Sequence, residues 1–261
     1  MARSTRAPRP RTLGPRHPLD RQPATLMLRL ITFDLDDTLW ESPPVLAQAE
    51  ERLMEWFDVH TPRVVARFSR ADLLRLRETL KAERPDLTHD VGGLRRAVIA
   101  RALECAGYGE TALADEAFEV FLAARHTVTL YADAQEVLER LHARVPLAVI
   151  TNGNADVTRL GLGHYFRFSV NPTDVGHAKP APEIFHHTLQ RAQVRPEQAL
   201  HIGDSLEHDV AGARSVGMHH IWLNRRGLAW PHPERSPPLT IASLADLLNV
   251  VEDWLPARAR A

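Results

Sequence analysis

The chain has one cysteine, Cys105, in 261 residues. That excludes an internal disulfide framework, and nothing in the sequence calls for an oxidising compartment. Cys105 itself reads as a small apolar residue on a helix. Long hydrophobic runs are missing too, since no segment approaches the length of a membrane span. Neither sign of charge dominates, because 32 Lys and Arg stand against 33 Asp and Glu. Composition therefore gives no reason to expect nucleic acid or membrane as a partner. A Walker-type glycine loop is absent, since Gly161-Leu162-Gly163 follows a helical pattern and reads as a stop signal. No internal repeat or low-complexity segment occurs after residue 26. These absences leave an ordinary globular protein, expected in the cytoplasm as a monomer or homodimer.

With 44% apolar and 25% charged residues, the chain can bury a core for one large domain or two modest ones. Its first 25 residues differ from the rest: Arg3, Arg6, Arg9, Arg11, Arg16 and Arg21 face only Asp20, and five prolines interrupt them. Such a segment buries too little to offset its ordering entropy, so residues 1–26 read as a disordered basic extension. A targeting peptide or a basic arm would be the functional alternatives. No apolar stretch of the secretory type follows, and Met27, directly before the first strand, offers a start site of its own.

From Leu28 the pattern changes. Leu28, Leu30, Ile31 and Phe33 form a short apolar run that ends in acidic residues and reads as a buried strand. Similar runs occur at 146–150, 166–170, 199–202 and 219–223, interleaved with helical patterns such as Ala134, Val137, Leu138 and Leu141. This alternation predicts an α/β fold, a Rossmann-like parallel sheet covered on both faces. Between Pro43 and about Val128 the strands stop, and helices are predicted over 45–57, 71–82, 93–106 and 112–124. A stretch of that length is too long for a loop inside a compact domain. The expected division is a core of residues 27–42 and 129–261 and a helical insert of residues 43–128, entered at Ser42-Pro43-Pro44 and left near 129–133.

Four clusters of polar residues fall at predicted element ends. In Asp34-Leu35-Asp36-Asp37-Thr38, continuation of the strand would put Asp34 and Asp36 on one face beyond its C-terminal end, where ligands bind in open α/β sheets. Two such carboxylates repel, and a divalent cation would hold both ionised. A helix cap or turn is the plainer explanation. Thr151-Asn152-Gly153-Asn154 follows an apolar strand and precedes a helix predicted to start near Ala155, which would make an anion cradle or simply a capped turn. Lys179 stands before Pro180, which biases it away from helical geometry just ahead of a predicted helix; it would face the same sheet edge or be a solvated charge. Gly203-Asp204-Ser205-Leu206-Glu207-His208-Asp209 again ends a strand in acidic residues. Asp204 is suited to a hard cation; Asp209 would support it or cap the next helix.

In this order and at these element ends, the clusters resemble the motifs of the haloacid dehalogenase-like phosphatase superfamily, and the insert is similar to its C1-type helical cap. The resemblance spans about residues 27–230. It implies that Asp34 is the nucleophile and Asp36 the general acid and base, that Thr151, Asn152 and Lys179 bind the phosphoryl group, and that Asp34, the Asp36 carbonyl and Asp204 hold Mg2+, with Asp209 supporting the metal shell. It also implies a small-molecule phosphate ester as the partner. Dehalogenases of the superfamily lack an acid equivalent to Asp36, because a halide leaves without a proton. Phe33 to Trp40, His89-Asp90-Val91 and Ile150 to Asn154 further resemble bacterial phosphatases acting on 5-amino-6-(5-phospho-D-ribitylamino)uracil and on FMN. A broad sugar-phosphate or nucleotide phosphatase is the nearest alternative, and a phospho-ligand binding protein with a vestigial site is the alternative from another class.

Other polar residues invite weaker readings. Trp40, Trp56, His89, Arg95 and Arg96 would meet substrate only from a helical face that more simply packs or faces solvent. The pairs His186-His187 and His219-His220 suggest zinc, but neighbouring side chains diverge on a helix and take opposite faces of a strand.

Overall fold

The computed structural model describes residues 27–109, 111–234 and 236–256, so the basic extension lies outside the described residues. Six strands form one sheet: β1 Leu30–Phe33, β2 Leu147–Ile150, β3 Phe166–Val170, β4 Ala199–Gly203, β5 His219–Leu223 and β6 Thr240–Ile241. Their order is β3-β2-β1-β4-β5-β6, and every pairing is parallel. The chain winds outward from β1 to β3 and then returns to place β4 beside β1. Their C-terminal ends therefore meet at a topological switch point, where an open parallel sheet leaves a crevice.

Strand periodicity sorts the core into two faces. Ile31, Phe33, Leu147, Val149, Leu200 and Ile202 point to one side, with Val137, Leu138 and Leu141 of α6 (Ala134–His142) and Leu244 and Leu247 of α10 (Leu244–Val251). Leu30, Ala148, Ile150 and Ala199 point to the other, against Ile184, Phe185 and Leu189 of α8 (Pro182–Ala192) and Ala213 of α9 (Gly212–Ser215). Two polar residues interrupt this second face: Thr32 of β1 lies opposite His201 of β4, and both are fully buried.

Between β1 and β6 the chain also makes α1 (Ser42–His60), α2 (Pro62–Arg67), α3 (Arg70–Glu83), α4 (Val91–Cys105), α5 (Thr111–Arg125) and the one-turn α7 (Pro172–Val175). α1 to α5 all fall between β1 and β2 and share a cluster of their own, including Leu53, Phe57, Ile99, Leu103 and Phe121. Trp40 bridges to Leu130, and the Tyr131 amide donates to the Leu39 carbonyl, so the two ends of this helical stretch run side by side.

Asp133 fastens three elements together. Its carboxylate accepts both guanidinium nitrogens of Arg225 at 2.9 and 3.2 Å and the Leu244 amide at 2.7 Å. Burial would raise its pKa, but the Arg225 bonds and charge hold it below the ordinary carboxylate value. A depressed carboxylate stabilises the fold above its unfolded pKa, and that stabilisation is lost as pH falls through the folded value. Asp133→Asn is expected to cost about 1–3 kcal/mol near neutrality and to flatten the acid side of the stability profile, read by urea melts against pH.

Three local expectations are corrected. β1 stops at Phe33, and Asp36 sits beyond it in an isolated bridge to Trp40, so strand alternation does not align the two carboxylates. No helix begins near Ala155; residues 157–161 make a turn that Gly161 continues at a positive φ of 73°. A π-helical turn, Leu206–Ala211, follows β4, and its cap is the Ser205 hydroxyl, which accepts the His208 amide at 3.1 Å. The sequence reading also passed over α2, β6 and α10, the last despite its Ser243 and Asp246 capping box.

Candidate active site

Asp34 directly follows β1, and its backbone amide donates to the Ile202 carbonyl of β4. The next residues cannot continue the ladder, because Thr38 and Leu39 both turn back to donate to the Leu35 carbonyl. Asp37 takes up the strain at a φ of 58°, a region Asp tolerates better than most residues. Its carboxylate then accepts the Ser42 amide at 3.0 Å and hydroxyl at 2.8 Å, which starts α1. The carboxylates of Asp34 and Asp36 reach one cleft by this tight turn.

That cleft, of about 310 Å³, lies at the switch point and is lined by Asp34, Asp36, Asp37, Thr151, Asn152, Gly153, Lys179, Asp204, Ser205, His208 and Asp209. Every sequence-predicted site residue is among them. Lys179 is the centre: its ammonium donates to Asp34 Oδ1 at 2.6 Å, to Asp209 Oδ1 at 2.6 Å and to the Ile150 carbonyl at 2.9 Å. All three of its donors are used, and the lysine is only 3% exposed. Asn152 holds it there by accepting the Lys179 amide at 2.7 Å and donating to the Lys179 carbonyl at 2.9 Å. Asn152 thus spends both ends of its amide on the lysine's backbone. Thr151 is buried, and its hydroxyl accepts the Gly153 amide at 3.0 Å.

Asp209 sits behind the lysine. Its second oxygen accepts the Ser205 amide at 3.0 Å, and its first is 3.0 Å from His201 Nε2. Burial pulls the His201 pKa below its ordinary value, so the ring is neutral with one N–H. A carboxylate only accepts, so that proton is on Nε2, leaving Nδ1 to accept from the Thr32 hydroxyl at 2.8 Å. The two polar residues of the apolar face therefore form one chain to the site, Thr32 to His201 to Asp209 to Lys179. The sequence carried a signal for both, a lone polar residue within a buried strand; reasoning from motifs missed it.

The charges at the cleft suit a cation. Burial raises the pKa of Asp34, and the nearby Asp209 and Asp204 add to this, against the lowering by Lys179. Asp204 is pushed up to about 6, by burial first and then by Asp209 and Asp37. Burial would lower Lys179, but Asp209 and Asp34 more than offset it and hold the ammonium above its ordinary value. Burial likewise opposes the charge on Asp209, which Lys179 and His201 keep well below the usual carboxylate range. Ligand atoms of Asp34, Asp204 and Asp209 lie within 4.8 Å of one another, and among the described residues no other acid, His or Cys cluster offers three such atoms. An all-oxygen set with excess negative charge fits a hard divalent ion. Asp209 takes part in three hydrogen bonds, with Lys179, His201 and Ser205, against two for Asp34, with Lys179 and Thr38, which leaves Asp34 and Asp204 as the freer direct ligands. The Trp222 indole fixes the loop by donating to the Asp204 carbonyl at 2.9 Å.

Asp36 is held by two groups the motifs did not reveal. Arg125, the last residue of α5, places Nη2 at 2.8 Å from Oδ1 and 2.6 Å from Oδ2, and the Trp40 indole donates to Oδ1 at 3.1 Å. Nothing in the run Ala123-Ala124-Arg125 marks that arginine in advance. Trp40 does more than pack, whereas Trp56 stacks on His60, Arg95 pairs with Glu50 and Arg96 pairs with Asp115.

Residues 28–217 match the family described as haloacid dehalogenase-like hydrolase. The chain belongs to that family, and within it to the phosphatases. It is 31% identical over 228 residues to 5-amino-6-(5-phospho-D-ribitylamino)uracil phosphatase YigB of Escherichia coli K12, covering 85% of this chain and 95% of that protein. It is 32% identical to the phosphoserine phosphatase of Thermus thermophilus, covering 84% and 98%. The crystal structure of 2-haloacid dehalogenase from Pseudomonas syringae pv. Tomato DC3000 superimposes with a TM-score of 0.82 at 43% identity, covering 87% and 100%.

Proposed function

We propose that the enzyme hydrolyses phosphate monoesters through an aspartyl-phosphate on Asp34, with 5-amino-6-(5-phospho-D-ribitylamino)uracil and FMN as its substrates. The observation that carries the chemistry is the placing of Asp34, buried against Lys179, beside Asp36 at the mouth of the same cleft. An Asp34 oxygen attacks phosphorus as the ester P–O bond breaks, and the departing alkoxide takes a proton from Asp36. A water oxygen then attacks the same phosphorus and gives its proton to Asp36, the bond to Asp34 breaks, and phosphate and the free carboxylate are restored. Lys179 offers positive charge to the phosphoryl oxygens, Thr151 a hydroxyl, and Asn152 keeps the lysine in place.

Asp34, Asp204 and the Asp36 carbonyl would hold Mg2+, with Asp209 behind them. When bound, the ion supplies further positive charge to the transferring phosphoryl group. Residues 43–128 act as a helical cap over the core of residues 27–42 and 129–261, excluding bulk water from the cleft. Nothing in this chemistry needs nucleic acid or a membrane, and no helix of the described residues is long and apolar enough to cross one. The setting proposed is the cytoplasm.

Support for the riboflavin-type substrate is the 31% identity with the E. coli enzyme. The similar identity with a phosphoserine phosphatase favours broader phosphomonoester specificity as the second reading. The likeness to a haloacid dehalogenase raises a third, which Asp36 opposes. A halide needs no proton, so that reaction has no use for a carboxylate fixed by an arginine and an indole at the cleft. A panel of phosphate esters with a 2-haloacid as control tests all three: phosphate release that peaks on the ribitylamino ester supports the proposal, and halide release in its place overturns it.

Metal dependence should follow pH in a defined direction. Both Asp34 and Asp204 lie above the ordinary carboxylate value. From about pH 4 up through their raised values, these two carboxylates hold more protons in the folded chain than in the unfolded one, and their own contribution to the stability of the metal-free fold falls as pH rises. Mg2+ favours the carboxylate forms and opposes this loss. Its thermal stabilisation is expected to be larger near about pH 8 than near about pH 5, where protons compete for the same oxygens. Chelation should abolish turnover, and added Mg2+ should restore it.

A further inference from the structure

We propose that Arg125 is a positioning residue that fixes which oxygen of Asp36 carries the proton, and so selects for substrates whose leaving group must be protonated. The inference rests on the reading of Asp36 as the proton-transferring group.

Each carboxylate oxygen can accept about two hydrogen bonds. Asp36 Oδ1 has both filled, by Arg125 Nη2 at 2.8 Å and the Trp40 indole at 3.1 Å. Oδ2 accepts only Arg125, at 2.6 Å, and keeps one position open. Gly153 lies beside that open oxygen, where an added Cβ would come within 2.8 Å of Oδ2 and 3.6 Å of Arg125 Nη2. Gly153 and Asp36 both line the cleft. The arrangement saturates one oxygen, leaves the other accessible, and keeps side-chain bulk away from it.

Arg125 is poorly explained as packing alone. It is 1% exposed, yet its Nε and Nη1 make no hydrogen bond, which is a costly way to fill space. Its guanidinium carbon stands 5.9 Å from the Trp40 ring centre, so charge and indole hold each other as well as Asp36. Its own position is set by His126, the next residue, whose Nε2 accepts the Asp156 amide at 2.8 Å while Nδ1 donates to the Leu122 carbonyl at 2.7 Å. Asp156 belongs to the stretch after Gly153. The end of α5 is thereby pinned to the same loop that leaves Oδ2 uncovered.

The test is the dependence of kcat/KM on leaving group for the full-length enzyme with Mg2+. An alkyl phosphate releases a basic alkoxide that needs the Asp36 proton; p-nitrophenyl phosphate releases a stable phenolate that does not. Arg125→Met is expected to lose about 10²-fold on the alkyl ester, within the span a positioned acid contributes, and less than about threefold on the nitrophenyl ester. Arg125→Lys should recover part of the alkyl activity, and Gly153→Ala should reproduce the selective loss. Equal losses on both esters would overturn the inference. Should Arg125→Met fail to fold, as judged by its thermal melt, Arg125→Lys and Gly153→Ala are scored by the same selectivity. Asp36→Asn separates the two levels: a selective loss there with an unselective one at Arg125 refutes only the positioning role. An unselective loss at Asp36 removes the general-acid reading and the inference with it.

Discussion

Asp34→Asn is expected to abolish hydrolysis while the protein stays folded. An amide oxygen is a poor nucleophile toward phosphorus, and loss of a nucleophile typically lowers turnover by a factor on the order of 10⁴ or more. The fold should tolerate the change because Asp34 is buried and its charge is disfavoured there, as its raised pKa shows. Asn can turn its carbonyl oxygen toward Lys179 and keep the bond that Asp34 Oδ1 accepts at 2.6 Å. Removing one of three clustered carboxylates also lowers their mutual repulsion. The thermal midpoint in the absence of metal should therefore stay level or rise, while the stabilisation by Mg2+ shrinks. A variant that kept more than a tenth of the activity would show that Asp34 is not the attacking group.

Lys179→Met should damage both stability and activity. The ammonium balances Asp34 and Asp209, and both ion pairs are almost wholly shielded from water. Methionine fills the volume but strands those charges, and breaking a buried pair from one side costs about 3–5 kcal/mol. Catalysis should fall by a further factor of about 10²–10³, the scale of loss when one preorganised group that stabilises developing negative charge is removed. Urea melts and initial rates on the same preparation check the two effects separately. Their separation matters, since a folded and fully active Lys179→Met protein would deny the lysine any part in phosphoryl binding.

How far the sequence disclosed this site depends on the kind of contact involved. Asp34, Thr151 and Asp204 each follow an apolar run, so their place at the sheet edge followed from strand periodicity. The parallel sheet followed from strands alternating with helices in the later half of the chain. The tight turn at Asp37 was not legible, because it depends on a positive φ and on Ser42 closing the loop through Asp37. That turn, not the strand, brings Asp36 to the cleft.

Arg125 was hidden for another reason. It pairs with a residue 89 positions earlier, and a helix of 15 residues whose other faces pack normally gives no local hint of the partner. Thr32 and His201 were different. Each is a polar residue in an apolar strand, and parallel pairing of β1 with β4 would have put them side by side. Asn152 was legible as a site residue but not in its office: the clamp on the Lys179 backbone depends on a contact across 27 residues.

The most direct test is the mass of the enzyme itself during turnover. The Mg2+-loaded protein is mixed with a phosphomonoester it hydrolyses, quenched in acid within a single turnover, and digested for peptide mass analysis. The expected result is one added phosphoryl group on the peptide containing Asp34, absent from Asp34→Asn and cleared on longer incubation. Rapid release of phosphate with no phosphorylated Asp34 at any time would contradict a nucleophilic Asp34 and leave direct attack by water as the mechanism.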